Sequence, residues 1–319
     1  MSTEKNGRHS HHHGSVDPAL LTTDKGLWAV KWSFAGLIAT ALIQVAVVYF
    51  SASVALLADT IHNFGDAFTA IPLWIAFVLA RRQPSARFTY GLGRVEDLAG
   101  ALIFFTILAS AVIAGYESVS RFMEPKAVRY PFIVIAAGMI GFVGNELVAL
   151  FRIKIGREIN SAALVADGRH ARVDGLTSLG VVVSAVGVKM GYPLADPVIG
   201  LLITLAILRI AWESGRQVFT RLLDGVDPEL VDEIRAAVRG TPGIKDITDV
   251  RVRWLGHRLH TEINLTVDGG ISVSDAHRIA QRAGSALRTQ NPVVWKAVFH
   301  VDPPEASGEE KHREVENDP

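Results

Sequence analysis

Six long apolar stretches, at about 27–50, 53–79, 97–120, 130–151, 161–188 and 196–219, occupy most of the first 220 residues. Each approaches or exceeds the roughly 20 residues that carry a helix across a bilayer. In hydrocarbon every backbone donor and acceptor needs a partner within the segment, so runs of this length fold as spanning helices. An apolar share of 49% would not establish this, because a soluble domain can reach it. The order of the residues establishes it. After Leu222 charge and apolar residues mix as in a soluble domain. The sequence therefore predicts four parts: a polar disordered tail over 1–26, an α-helical polytopic membrane domain over 27–222, an α+β ferredoxin-like domain over 223–303, and a charged disordered tail over 304–319.

Other features exclude whole classes. The chain has no cysteine, so disulfides and thiolate ligands are ruled out and any metal must be held by nitrogen and oxygen. Copper(I) handling falls with the thiolates. Net charge is +0, which gives no basis for nucleic-acid binding. No cleavable leader is visible in the polar first 26 residues. That tail carries His9, His11, His12 and His13, a solvated run with at most a weak metal-gathering role. Basic residues cluster after the second stretch (Arg81, Arg82, Arg87, Arg94) and after the fourth (Arg152, Lys154, Arg157). An even number of spans with those loops inside predicts a bacterial inner-membrane protein with both termini in the cytoplasm.

The C-terminal part carries its own signals. Asp227-Pro228 opens a helix to Val238, which Pro242-Gly243 ends. Asp249–Trp254 and Leu259–Val267 alternate as strands around a turn at Gly256-His257. Ser272 and Asp275 start a second helix with Ile279, Ala283 and Leu287 on one face, and a last strand covers Val294–Val301. The order α-β-β-α-β fits a split-βαβ unit.

The chemistry lies in a repeated pattern. The second stretch contains Asp59, His62 and Asp66; the fifth contains Asp167, His170 and Asp174. Both have spacing i, i+3, i+7, which aligns three side chains on one helical face. A charged group at a helix centre in lipid costs roughly 2.5–3.5 kcal/mol. A divalent cation offsets that cost, since two carboxylates neutralise it and two imidazoles complete four N/O ligands. His62 and Asp66 fall about 9–13 residues in from the outer side, and His170 and Asp174 about 9–13 from the inner side. The helices run in opposite directions, so the two pairs meet at mid-depth. Asp59 then falls on the outer side and Asp167 on the inner side, as access carboxylates. Zn²⁺ suits this donor set best, with Fe²⁺, Co²⁺, Cd²⁺ and Mn²⁺ as alternatives. Two further readings remain open, an intramembrane metalloenzyme and a metal sensor. The first lacks a His-Glu-x-x-His and an open coordination position.

Three segments in order resemble the cation diffusion facilitator family. They are Leu56-Leu57-Ala58-Asp59-Thr60-Ile61-His62-Asn63-Phe64-Gly65-Asp66, Phe88-Thr89-Tyr90-Gly91-Leu92-Gly93-Arg94-Val95-Glu96 and Ala166-Asp167-Gly168-Arg169-His170-Ala171-Arg172-Val173-Asp174. Asp196-Pro197 resembles the start of that family's sixth helix, and the similarity covers roughly residues 25–303. It implies six spans, a cytoplasmic ferredoxin-like domain, a homodimer, and export of divalent metal against incoming protons. The matching transport-site positions are His62, Asp66, His170 and Asp174, the set that spacing had already selected.

Two departures follow. Phe88 and Leu92 stand where some members carry loop histidines, so no second site is expected there. His277, His300 and Asp302 match the family's regulatory metal positions, but Asn264 stands where a histidine is common. The surface residues His257, His260 or Glu262 are candidates to substitute. Arg94 and Asp224 match a charge interlock at the dimer's cytoplasmic side. Glu146 is expected to meet Arg169 or Arg172 and not to ligate metal.

Overall fold

The computed structural model describes residues 18–51, 70–123, 131–192 and 194–306. Its membrane part contains α1 (Pro18–Ser51), α2 (Ala70–Ala80), α3 (Arg94–Met123), α4 (Pro131–Glu158), α5 (Ala162–Lys189) and α6 (Ala195–Leu222). Five of these are long and apolar enough to cross a bilayer, and α2 is a shorter apolar helix of 11 residues. Leu98, Phe105, Ile113, Leu205 and Trp212 are more than half exposed. Large apolar side chains turned outward from helices of this length face lipid.

The helices outrun the apolar stretches at the ends nearest the C-terminal domain. α1 begins at Pro18, inside the segment expected to be a disordered tail. Its polar first turns find partners: Asp24 pairs with Arg81, Lys25 with Glu158, and the Thr23 hydroxyl lies 3.0 Å from His257 Nε2. α4 likewise runs on to Glu158, so Arg152 is not a loop cation as the basic run suggested. It is a helical residue only 1% exposed. Ion pairs and side-chain contacts extend these helices past the hydrocarbon, which hydropathy does not report.

α5 is the most enclosed span, with half of its apolar window buried, and it packs against α4, α6 and α3. Glycines set the closeness of α4 and α5. A Cβ at Gly156 would fall 2.9 Å from the backbone nitrogen of Val165, and one at Gly168 would fall 2.9 Å from that of Ile153. Small residues of this kind let helix backbones approach in membranes, where no hydrophobic force drives the pair together.

The C-terminal domain contains α7 (Pro228–Arg239), β1 (Asp246–Leu255), β2 (Arg258–Thr266), α8 (Val273–Gln290) and β3 (Val294–Asp302), closed by a short 3₁₀ turn at Pro304–Ala306. Asp227 caps α7 by accepting from Glu229 N at 3.2 Å, and Ser272 caps α8 by accepting from Asp275 N at 3.1 Å. The sheet order is β1-β2-β3, antiparallel and then parallel. Ile234 and Val238 of α7 and Ala283 and Leu287 of α8 bury against Leu259, Ile263 and Leu265. The opposite sheet face is polar, with Arg253 paired to Glu262 at 3.2 Å. One packed and one open face is the usual economy of a small mixed sheet.

Candidate metal site

Ser161 starts α5, its side chain accepting from Leu164 N at 3.0 Å, and so fixes the phase of the helix. From there Asp167, His170 and Asp174 follow on one buried stripe, at 0%, 2% and 7% exposure. His170 Nδ1 lies 3.9 Å from Asp174 Oδ1, one turn away. An imidazole and a carboxylate this close, enclosed in a spanning helix, are donors of the kind a divalent cation takes. Asp59, His62 and Asp66 lie outside the described residues.

Asp167 has company that the sequence did not announce. Its Oδ2 is 3.0 Å from Nη1 of Arg152 on α4, and both side chains are sealed from solvent. The Arg152 Nε donates to Ser33 Oγ of α1 at 2.8 Å. Glu146 meets Arg172, one of its two expected partners, through a bidentate contact at 2.7 and 3.1 Å. Arg169 instead turns to Ser214 at 3.3 Å. Arg94 and Asp224 form an ion pair within one chain, and Arg94 also donates to the Leu222 carbonyl at 3.1 Å, closing the end of α6.

In the C-terminal domain His300 Nε2 and Asp302 Oδ1 are 2.9 Å apart on β3, and Asn264 stands opposite His300 on β2. His277 lies exposed on α8. Among the described residues no three His, Asp or Glu side chains converge as a metal-binding group within this chain. His260 and His257 are not surface residues, as had been expected; each is 2% exposed. The His260 ring lies beside Tyr90, with Nδ1 3.6 Å from Glu262. Burial first, and the Arg253 guanidinium second, pull its pKa below the ordinary histidine value.

His257 belongs to a joint between the domains. The β1–β2 turn inserts among the adjoining ends of α1, α3 and α6. His257 Nδ1 lies 2.6 Å from Glu96 Oε2, Gly256 N donates to Asp97 at 3.2 Å, and Arg221 donates to the Asn160 carbonyl at 2.6 Å while stacking on Trp254. Gly256 needs φ +65°, and a Cβ there would fall 2.7 Å from the Gly93 carbonyl. Sequence reasoning took Glu96 only as part of a loop signature and overlooked Asp97 and Thr23. The available signal was two adjacent carboxylates at the head of an apolar helix, which require buried partners.

A mostly apolar helical bundle that encloses carboxylates and an imidazole, joined to a small α+β domain, is the architecture of a polytopic membrane transporter of cations. The family model for the cation efflux transmembrane domain matches residues 30–223, and that for the cation efflux protein cytoplasmic domain matches residues 226–304. A probable cation efflux system protein of Mycobacterium tuberculosis is 51% identical over 93% of this chain and 90% of its own length. An uncharacterized transporter of Methanocaldococcus jannaschii is 27% identical over 85% of this chain and 95% of its own. The manganese efflux system protein MneP of Bacillus subtilis is 25% identical over 86% and 95%. The chain belongs to the cation efflux, or cation diffusion facilitator, family.

Proposed function

We propose that this protein exports a divalent transition metal ion, Zn²⁺ before others, from the cytoplasm in exchange for protons. The observation that carries the proposal is the buried His170–Asp174 pair, 3.9 Å apart inside a 28-residue spanning helix. His62 and Asp66 complete four ligands by the spacing they share with that pair. Two imidazoles and two carboxylates favour tetrahedral Zn²⁺ over the oxygen-rich shell that Mn²⁺ prefers. A second reading takes Mn²⁺ as cargo. Its support is the manganese efflux protein among the relatives. Fe²⁺, Co²⁺ and Cd²⁺ fit the donor set less closely.

Metal reaches the site from the cytoplasm, the helices rock, and the site opens outward, as alternating access requires. A free imidazole titrates near pH 6.5 and cannot ligate once protonated, so protons arriving outside release the metal. The basic residues after the second and fourth apolar stretches support a reading with both termini in the cytoplasm of an inner-membrane protein. The open polar face of the sheet is the surface for pairing two copies. His300 and Asp302, with His277 of α8, contribute ligands to a regulatory site, and the Arg94–Asp224 pair steadies the membrane end of that assembly.

Flux of Zn²⁺, Mn²⁺, Fe²⁺, Co²⁺ and Cd²⁺ into proteoliposomes, followed with an internal pH dye, tests the cargo and the coupling together. Zn²⁺ is expected to be fastest and to move protons the other way. Wild-type flux in His170→Ala or Asp66→Ala would sink the site assignment.

A further inference from the structure

The buried ion pair one turn inward of His170 has a property that ordinary structural ion pairs lack. Asp167 is 0% exposed and Arg152 1%, yet among the described residues neither carboxylate oxygen has a hydrogen bond of good geometry, and Nη2 of Arg152 is also unsatisfied. Only proximity joins them, at 3.0 Å between Oδ2 and Nη1. A buried pair retained for stability is normally saturated, because unmade bonds in a dry interior are costly. These three polar atoms mark a carboxylate that still has acceptor capacity to spare beside a cation 3.0 Å away.

The rest of the arginine is held elsewhere. Its Nε donates to Ser33 Oγ at 2.8 Å, and that hydroxyl donates in turn to the Val30 carbonyl at 3.0 Å. The tether comes from α1 and α4, whereas Asp167 rides on α5 beside the metal ligands. Gly168 brings the α5 backbone against α4 here, since a Cβ would fall 3.0 Å from the Arg152 Cβ.

We propose that Arg152 is a positioning residue that acts as a stand-in cation. It neutralises Asp167 while the site is empty and yields that carboxylate to the incoming metal. Asp167 is then a transit ligand on the inner side of His170 and Asp174, passing the ion outward along one helical face. The guanidinium swings on its Ser33 tether and needs no other partner to leave from or return to. This inference rests on the metal-transport reading of His170 and Asp174.

The two charges then act on the cargo with opposite sign. Arg152→Gln leaves Asp167 bare, so metal binds more tightly at the inner mouth and leaves more slowly. Asp167→Asn leaves a naked guanidinium that repels the ion. Initial Zn²⁺ flux in proteoliposomes, normalised to folded protein by size-exclusion chromatography, yields KM and maximal rate separately. KM is expected to fall about threefold or more in Arg152→Gln, with a lower maximal rate, and to rise about threefold or more in Asp167→Asn. Arg152→Lys keeps the charge and restores a wild-type KM. Should the single variants fail to fold, the neutral double variant Arg152→Gln/Asp167→Asn replaces them. Its KM is expected between those of wild type and Asp167→Asn.

A structural pair gives a different result. Both single variants then lose folded protein with no change in KM, and the double variant has the wild-type value. Either result overturns the proposal. His170→Ala keeps the two claims apart: if it is inactive and KM does not split, the stand-in role alone fails. If it transports normally, the site reading fails and takes this inference with it.

Discussion

Two clusters of buried charge occupy this molecule, and they are built differently. At the joint between domains, Glu96 Oε2, Asp97 Oδ2, both ring nitrogens of His257 and the Arg221 guanidinium have directional partners, most of them at 2.6–3.2 Å. Of these groups, Glu96 Oε1 is left over among the described residues. Along α5, both Asp167 oxygens and the Arg152 Nη2 lack good hydrogen bonds among the described residues. Saturation marks a part that must hold its shape. On the proposed role of Arg152, incomplete satisfaction leaves acceptor capacity that a passing cation can use.

Mutations can break this contrast, and the largest effect belongs to the exchanging cluster. Asp174→Ala and His170→Ala should reduce metal flux about 100-fold or more while the protein still elutes as a folded species, since loss even of outer-shell partners costs 10–100-fold. At the joint the effect should fall on stability instead. Glu96→Ala leaves His257 buried without its carboxylate and should cost about 3–5 kcal/mol. Thermal unfolding of the full chain in detergent would register this, and a Glu96→Leu/His257→Leu variant should regain most of it. An unchanged melting temperature in Glu96→Ala would show that the joint does not depend on the Glu96–His257 contact.

Smaller effects sharpen the picture. Gly256→Ala places a Cβ 2.7 Å from the Gly93 carbonyl at a backbone φ of +65°, and should cost about 1–3 kcal/mol without changing the KM for metal. The smallest effect concerns His260, whose burial depresses its pKa. The unfolded chain takes up a proton there from about pH 6.5 downward, and the folded chain resists it until lower pH. Stability is therefore full above pH 6.5 and falls as pH drops below it, by about 1.4 kcal/mol for each pKa unit of depression. Melting temperatures of wild type and His260→Phe between pH 7.5 and 5.5 should diverge, with the wild type losing more.

Much of the fold was legible because it is local. Caps at Asp227 and Ser272, alternation through Val250, Val252 and Trp254, and apolar runs of spanning length each act within a few residues. The α5 half of the site was legible for the same reason, as Asp167, His170 and Asp174 lie on one stripe by spacing alone. What escaped notice depends on distant partners. Arg152 resembles any inner-loop cation until α4 is seen to continue through it, and the role of His257 depends on Glu96, 161 residues away. Tyr90 belongs to a loop motif, but its ring lies against His260 and has the Arg253 guanidinium over its face at 5.0 Å.

The contact between Thr23 and His257 spans 234 positions of chain. During synthesis at about 5–20 residues per second, the ribosome needs on the order of 10–50 s to travel from one to the other. Throughout that interval the inner end of α1 has been made and its C-terminal partner has not. The spans must therefore enter the bilayer and find one another before the last domain can fasten their inner ends. A chain truncated before the β1–β2 turn would lack His257 and Gly256, the partners of Glu96 and Asp97.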